Sequence, residues 1–105
     1  MNERPIPDAA VRDPNSVEIL RVWIAESGLH CSLKVGMYHE TSATPESQAW
    51  GKILADVTRH IAAALESGYS MNKGQVQNEI RTEYLKELDN PTSEAMGDFV
   101  NRVVE

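Results

Sequence analysis

The stretch Val17-Glu18-Ile19-Leu20-Arg21-Val22-Trp23-Ile24-Ala25-Glu26, then Ser27-Gly28, then Leu29-His30-Cys31-Ser32-Leu33-Lys34-Val35 decides the fold of this chain. Two runs rich in β-branched and aromatic residues flank a two-residue turn, and Gly accepts the positive φ that a tight hairpin turn needs. The sequence therefore predicts a β-hairpin over about 17–35. With Glu26 opposite Leu29, Ile24 faces Cys31, Val22 faces Leu33 and Leu20 faces Val35. All six are apolar and share one face, because side chains alternate along a strand. The other face pairs Ala25 with His30, Trp23 with Ser32 and Arg21 with Lys34. A one-residue slip would set Leu and Val against Ser, His and Lys, so this register is expected to be well specified. Burial of the larger apolar side chains contributes roughly 1.5–3 kcal/mol each. A lone hairpin is only marginally stable in water, so the rest of the chain or a second copy has to cover that face.

Outward from the hairpin, the chain reads as punctuation and helices. Pro5, Pro7 and Pro14 make residues 1–16 an extended N-terminal arm with room for one helical turn over Pro7–Val11, and Asp13-Pro14-Asn15-Ser16 reads as a turn into the first strand. Residues 36–42 are a connector. Thr44-Pro45-Glu46 is a helix start, with Thr as N-cap, Pro in the first helical position and an acid in the first turn. Trp50, Ile53, Leu54, Val57, Ile61, Ala64 and Leu65 then recur at helical spacing, predicting a long helix over about 44–67 that stops at Gly68. Lys52, Asp56, Arg59, Ala63 and Glu66 line its opposite side. Gly51, Ala55, Thr58 and Ala62 form a flank of small residues that suits close approach of another backbone. Gly51 costs about 0.5–1 kcal/mol relative to Ala inside a helix, which a packing partner would explain.

A second helix is predicted over about 75–88, with Val76, Ile80, Tyr84 and Leu88 in an i+4 stripe, ended by Asp89-Asn90-Pro91. Met96, Phe99, Val100 and Val103 form a further amphipathic stripe, predicting a C-terminal helix over 90–105. The expected architecture is α+β within one small domain of 105 residues: a hairpin packed on a long helix, with two shorter C-terminal helices.

Composition narrows the function classes. The net charge is −6 and the basic residues are scattered, which argues against a phosphate-backbone binder and against a polybasic membrane anchor. The longest apolar run, Ile61 to Leu65, is too short to span a bilayer, and Met1 to Ala10 carries no apolar segment of a secretory signal. Cys31 is the single cysteine, so no intrachain disulfide can form. The expected compartment is the cytoplasm.

Asp13-Pro14, Val17–Trp23, Gly28–Leu33, Trp50-Gly51, Leu54-Ala55-Asp56 and Arg59-His60 together resemble a family of small bacterial proteins catalogued only as a domain of unknown function. The resemblance covers about residues 5–65. It implies one compact bacterial domain and brings no activity, cofactor or catalytic residue with it.

The candidate site residues come from the residues themselves. Arg21, Trp23, His30 and Lys34 share the mixed face of the hairpin, where an aromatic flanked by cations suits an anionic or carboxylate ligand. The plainer alternative is that Trp23 packs under another element while Arg21 and Lys34 lay their stems over it. Asp56 and His60, four apart on the long helix, suit a shared metal or an acid–base pair, or simply a surface ion pair. No zinc-type spacing, glycine-rich phosphate loop or serine nucleophile elbow is present, and no cofactor or metal is expected. Cys31 and His30 point to opposite faces, so Cys31 reads as an inert core thiol.

Two functional expectations follow. One is a cytoplasmic, non-enzymatic interaction or regulatory module. The other is a small-molecule binder or enzyme with a pocket at the Trp23 face. A two-stranded sheet has two open edges, and pairing hairpins across a two-fold axis would close one of them, so a homodimer is expected.

Overall fold

The computed structural model describes residues 1–41, 43–92 and 96–101, with 40, 41 and 96–101 described by backbone alone. In chain order the elements are α1 (Asp8–Arg12), β1 (Leu20–Ala25), β2 (Gly28–Val35), α2 (Met37–Thr41), α3 (Glu46–Tyr69), α4 (Lys73–Asp89) and β3 (Met96–Asn101). The fold is α+β. It comprises two compact units: a sheet unit holding the N-terminal arm, β1, β2 and β3, and a helical unit running from Gly36 through α4.

In the sheet unit, β1 and β2 pair antiparallel, but two residues out of the expected register. Leu20 faces Leu33, Val22 faces Cys31, Trp23 faces His30 and Ala25 faces Gly28. The turn residues are thus Glu26 and Ser27, both with positive φ (49° and 63°), while Gly28 is the first residue of β2. A shift of two leaves every side chain on its expected face, so the apolar pattern does not discriminate between the two registers. Positive φ at both turn positions is the geometry whose twist matches paired strands.

The predicted C-terminal helix is corrected to a strand. Residues 96–101 form β3, parallel to β2, with His30 opposite Met96 and Val35 opposite Asn101. The sheet order is β1-β2-β3, so the edge of β2 that the hairpin alone would leave open is filled. Gly97 is poor in a helix, and the free N–H and C=O row of β2 offers a ladder that local helical periodicity cannot match. A parallel pair needs a long crossover, and the helical unit supplies it. Val103, part of the predicted stripe, lies outside the described residues.

In the helical unit, Gly36 takes a φ of 96° and turns the chain from β2 into α2, within the segment expected as plain connector. α3 begins at Glu46 with Pro45 as its N-cap and continues past Gly68 to Tyr69. Its end is set by Ser70 in the left-handed conformation, whose N–H donates to the Glu66 carbonyl at 3.0 Å. α4 starts two residues before its predicted start. Asn72 caps it, its Oδ1 accepting the Gln75 N–H at 2.9 Å, and this places Gly74 inside the first turn.

Among the described residues only Ala49, Ala62 and Val76 are buried. α3 and α4 pack on one another, and each carries a buried residue, Ala62 on the predicted small flank of α3 and Val76 on α4. At Gly51 that flank is open, with nothing near the place a Cβ would occupy. The larger apolar side chains are not sequestered. Val22, Ile24 and Leu29 on the apolar hairpin face are exposed, Ile24 at 85%.

Candidate functional site

The two-residue register shift brings Trp23 directly opposite His30, whereas the sequence placed them diagonally. It sets Arg21 opposite Ser32 and moves Lys34 towards Ile19, whose carbonyl accepts the Lys34 N–H at 3.0 Å. Trp23 and His30 are both half-buried, and His30 Nε2 lies 3.1 Å from the Ala25 carbonyl oxygen.

Arg21 is committed to carboxylates. Its Nε and Nη2 donate to the two Glu18 oxygens at 2.9 and 3.0 Å, and Nη1 donates to Glu3 at 2.5 Å. These bonds, Glu18 first, raise the guanidinium pKa above its ordinary value. A cavity of about 240 Å³ opens beside this cluster, lined by arm residues including Glu3, Pro5 and Ile6 and by Leu20, Arg21, Val22 and Trp23. Four successive strand residues line it, so the cavity touches both faces of β1. Its wall carries two acids, Glu3 and Glu18, and two cations, Arg4 and Arg21, and the Arg21 charge is already paired with both acids.

Asp56 and His60 belong to the helical unit, apart from the hairpin set. Asp56 Oδ1 accepts from Arg59 Nη2 at 2.5 Å, and Asp56 Oδ2 lies 3.6 Å from His60 Nε2. All three side chains are well exposed, the geometry of a solvated surface ion pair. Among the described residues no three His, Cys, Asp or Glu side chains converge to hold a metal ion. No helix among them is long and apolar enough to cross a membrane. Cys31 is a half-buried free thiol opposite Val22.

The best-constructed polar cluster centres on Glu46, whose sequence position marks it only as a first-turn acid of the long helix. Glu46 Oε2 accepts the Gly36 N–H at 3.0 Å and the Trp50 indole Nε1–H at 2.8 Å, and Oε1 accepts the His39 N–H at 2.9 Å. Donation from Gly36 above all, then from Trp50, His39 and Tyr38, pulls the Glu46 pKa below the usual carboxylate range. The cluster ties α2 to the start of α3. Its one sequence signal is a Glu four residues before a Trp. A similar clamp closes α4, where Glu87 accepts the Thr92 N–H at 3.0 Å and the Thr92 hydroxyl at 2.9 Å and is likewise lowered.

The sequence matches, over residues 3–92, the family described as Domain of unknown function (DUF5076). The chain belongs to this family. The match extends the resemblance of residues 5–65 through α4 and leaves β3 beyond it. The DUF5076 fold has a solved counterpart in a protein from the photosynthetic bacterium Rhodopseudomonas palustrus CGA009, provisionally named a pyruvate dehydrogenase. The two share 21% identity, with a TM-score of 0.66 over 93% of this chain and 94% of that one. That likeness is of fold. No curated protein matches the sequence.

Proposed function

We propose that this DUF5076 chain is a cytoplasmic, non-enzymatic interaction module that works by joining a protein partner, a second copy of itself included. The observation that carries this reading is the distribution of apolar surface. Among the described residues only three small side chains are buried, while Val22, Ile24 and Leu29 on the hairpin and Leu54, Val57 and Ile61 on α3 face solvent. Several exposed large apolar side chains on each unit, with so few buried, support an interaction site. The acidic net charge and the single cysteine support a reducing, soluble setting.

The competing reading, an anion-binding pocket or enzyme at the Trp23 face, loses support from the pairing of Arg21 with Glu3 and Glu18. The test is capture from the native cell followed by reconstitution with the purified partner. The expected result is a complex of fixed stoichiometry that weakens when exposed apolar residues are replaced by Asp. A chain that forms no reconstituted complex, yet is stabilised in thermal denaturation by a small carboxylate or phosphate, would overturn the proposal.

A further inference from the structure

Resting on the interaction reading, we propose that α3 is a homodimer seam that packs antiparallel on α3 of a second copy. Trp50, Leu54, Val57, Ile61, Ala64 and Gly68 follow one another at steps of four, three, four, three and four. That is the heptad spacing of a helix pair. α3 meets α4 through a different side, the one carrying Ala62. The seam itself is open: Leu54, Val57 and Ile61 are exposed at 38%, 42% and 44%.

Three features select a second copy, and one orientation of it. First, the seam is complementary to itself when reversed about its midpoint at Arg59. Trp50 then lies opposite Gly68, Leu54 opposite Ala64, and Val57 opposite Ile61, so each large residue meets a smaller or equal one. A parallel pair would set Trp50 on Trp50 and Gly68 on Gly68, a clash at one end and a gap at the other. Second, this gives Gly68 a purpose. It lies inside α3, at a cost to helix stability, and a Cβ there meets nothing within the chain. The Trp50 ring of the second copy needs that space.

Third, charge permits the contact. The chain carries −6, yet the positions flanking the seam are Gly51, Ile53, Thr58, His60, Leu65 and Ser67, with no carboxylate among them. Copies that repel elsewhere meet here without a like-charge pair. The 24 residues of α3 make a seam about 36 Å long. Covering it on both protomers removes roughly 1,000 Å², about the least a specific association needs, so a weak dimer is expected. In the sheet, β3 occupies the edge of β2 that the hairpin alone would leave open.

The test is sedimentation equilibrium of the full chain up to several hundred micromolar, comparing the natural sequence with Val57→Asp and with Ile24→Asp on the hairpin. The expected result is a dimer whose dissociation constant rises at least tenfold in Val57→Asp and is unchanged in Ile24→Asp, with matching far-UV circular dichroism. Orientation is read by oxidative cross-linking in a Cys31→Ser background. A mixture of Leu54→Cys and Ala64→Cys chains gives covalent heterodimer, while Leu54→Cys alone does not. A monomer throughout, or a dimer lost in Ile24→Asp and intact in Val57→Asp, overturns the α3 seam; a complex reconstituted with another protein would still leave the interaction reading standing. Cross-linking of Leu54→Cys alone overturns the antiparallel arrangement.

Discussion

The Trp50 indole donates to the Glu46 carboxylate at 2.8 Å, one helical turn away, and so fixes the acid against the backbone N–H groups of Gly36 and His39. The depressed pKa of Glu46 gives this cluster a pH dependence with a definite sign. Its contribution is fully present above the unfolded carboxylate value of about 4.5 and is lost as pH falls through the lower folded value. In Glu46→Gln, the dependence of α2 order on pH below about 4.5 should flatten, because the charged acceptor is gone. The Trp50 indole N–H resonance and the His39 amide, followed by NMR from pH 7 to 3, report it directly. A wild-type indole shift that stays constant over that range would refute the coupling.

Gly51 is the position where an expected packing constraint is missing. The space around it is open, so Gly51→Ala should stabilise the chain by about 0.5–1 kcal/mol, through helix propensity alone. In thermal denaturation that is a rise of roughly 3–6 °C for a chain of this size. A fall in Tm would mean that another backbone approaches α3 there.

Glu26 and Ser27 hold left-handed conformations that Asn and Gly accept more readily. The double change Glu26→Asn with Ser27→Gly should stabilise the hairpin by about 1 kcal/mol and preserve the pairing of Trp23 with His30. Cross-strand nuclear Overhauser contacts between residues 23 and 30 check the register, and chemical denaturation checks the stability. Contacts from residue 23 to 32 instead would restore the register read from the sequence.

The double change Glu3→Gln with Glu18→Gln removes both carboxylates from Arg21. The cavity beside Trp23 should then bind small carboxylates or phosphate that the natural chain does not, as read by isothermal titration calorimetry. Equal anion binding by both chains would show that the two acids do not govern the cavity.

The hairpin, its two faces and the long helix were legible in the sequence because each rests on side-chain period, and period is local. The register was not, since moving Trp23 from Ser32 to His30 keeps every residue on its face. The stop at Gly68 was misplaced because a glycine signal outweighed Ser70, which takes the left-handed cap instead. Residues 96–101 carry a helical stripe that yields to the open edge of β2, a partner remote in sequence. Of the candidate residues, Trp23 and His30 do meet. Arg21 is claimed by Glu3, far along the chain, and the Glu46 cluster depends on backbone N–H groups that no side-chain pattern announces.

The parallel pairing of β2 with β3 also sets an order of events during synthesis. His30 pairs with Met96, a separation of 96 − 30 = 66 residues, whereas the hairpin closes over neighbours. Translation at 5–20 residues per second separates the two strands by roughly 3–13 s. Through that interval the hairpin exists with one hydrogen-bonding edge of β2 unpaired, while the residues of α3 and α4 are being made. The last strand thus takes up the β2 edge late, and a nascent chain stalled before it carries that edge unpaired and able to recruit other strands.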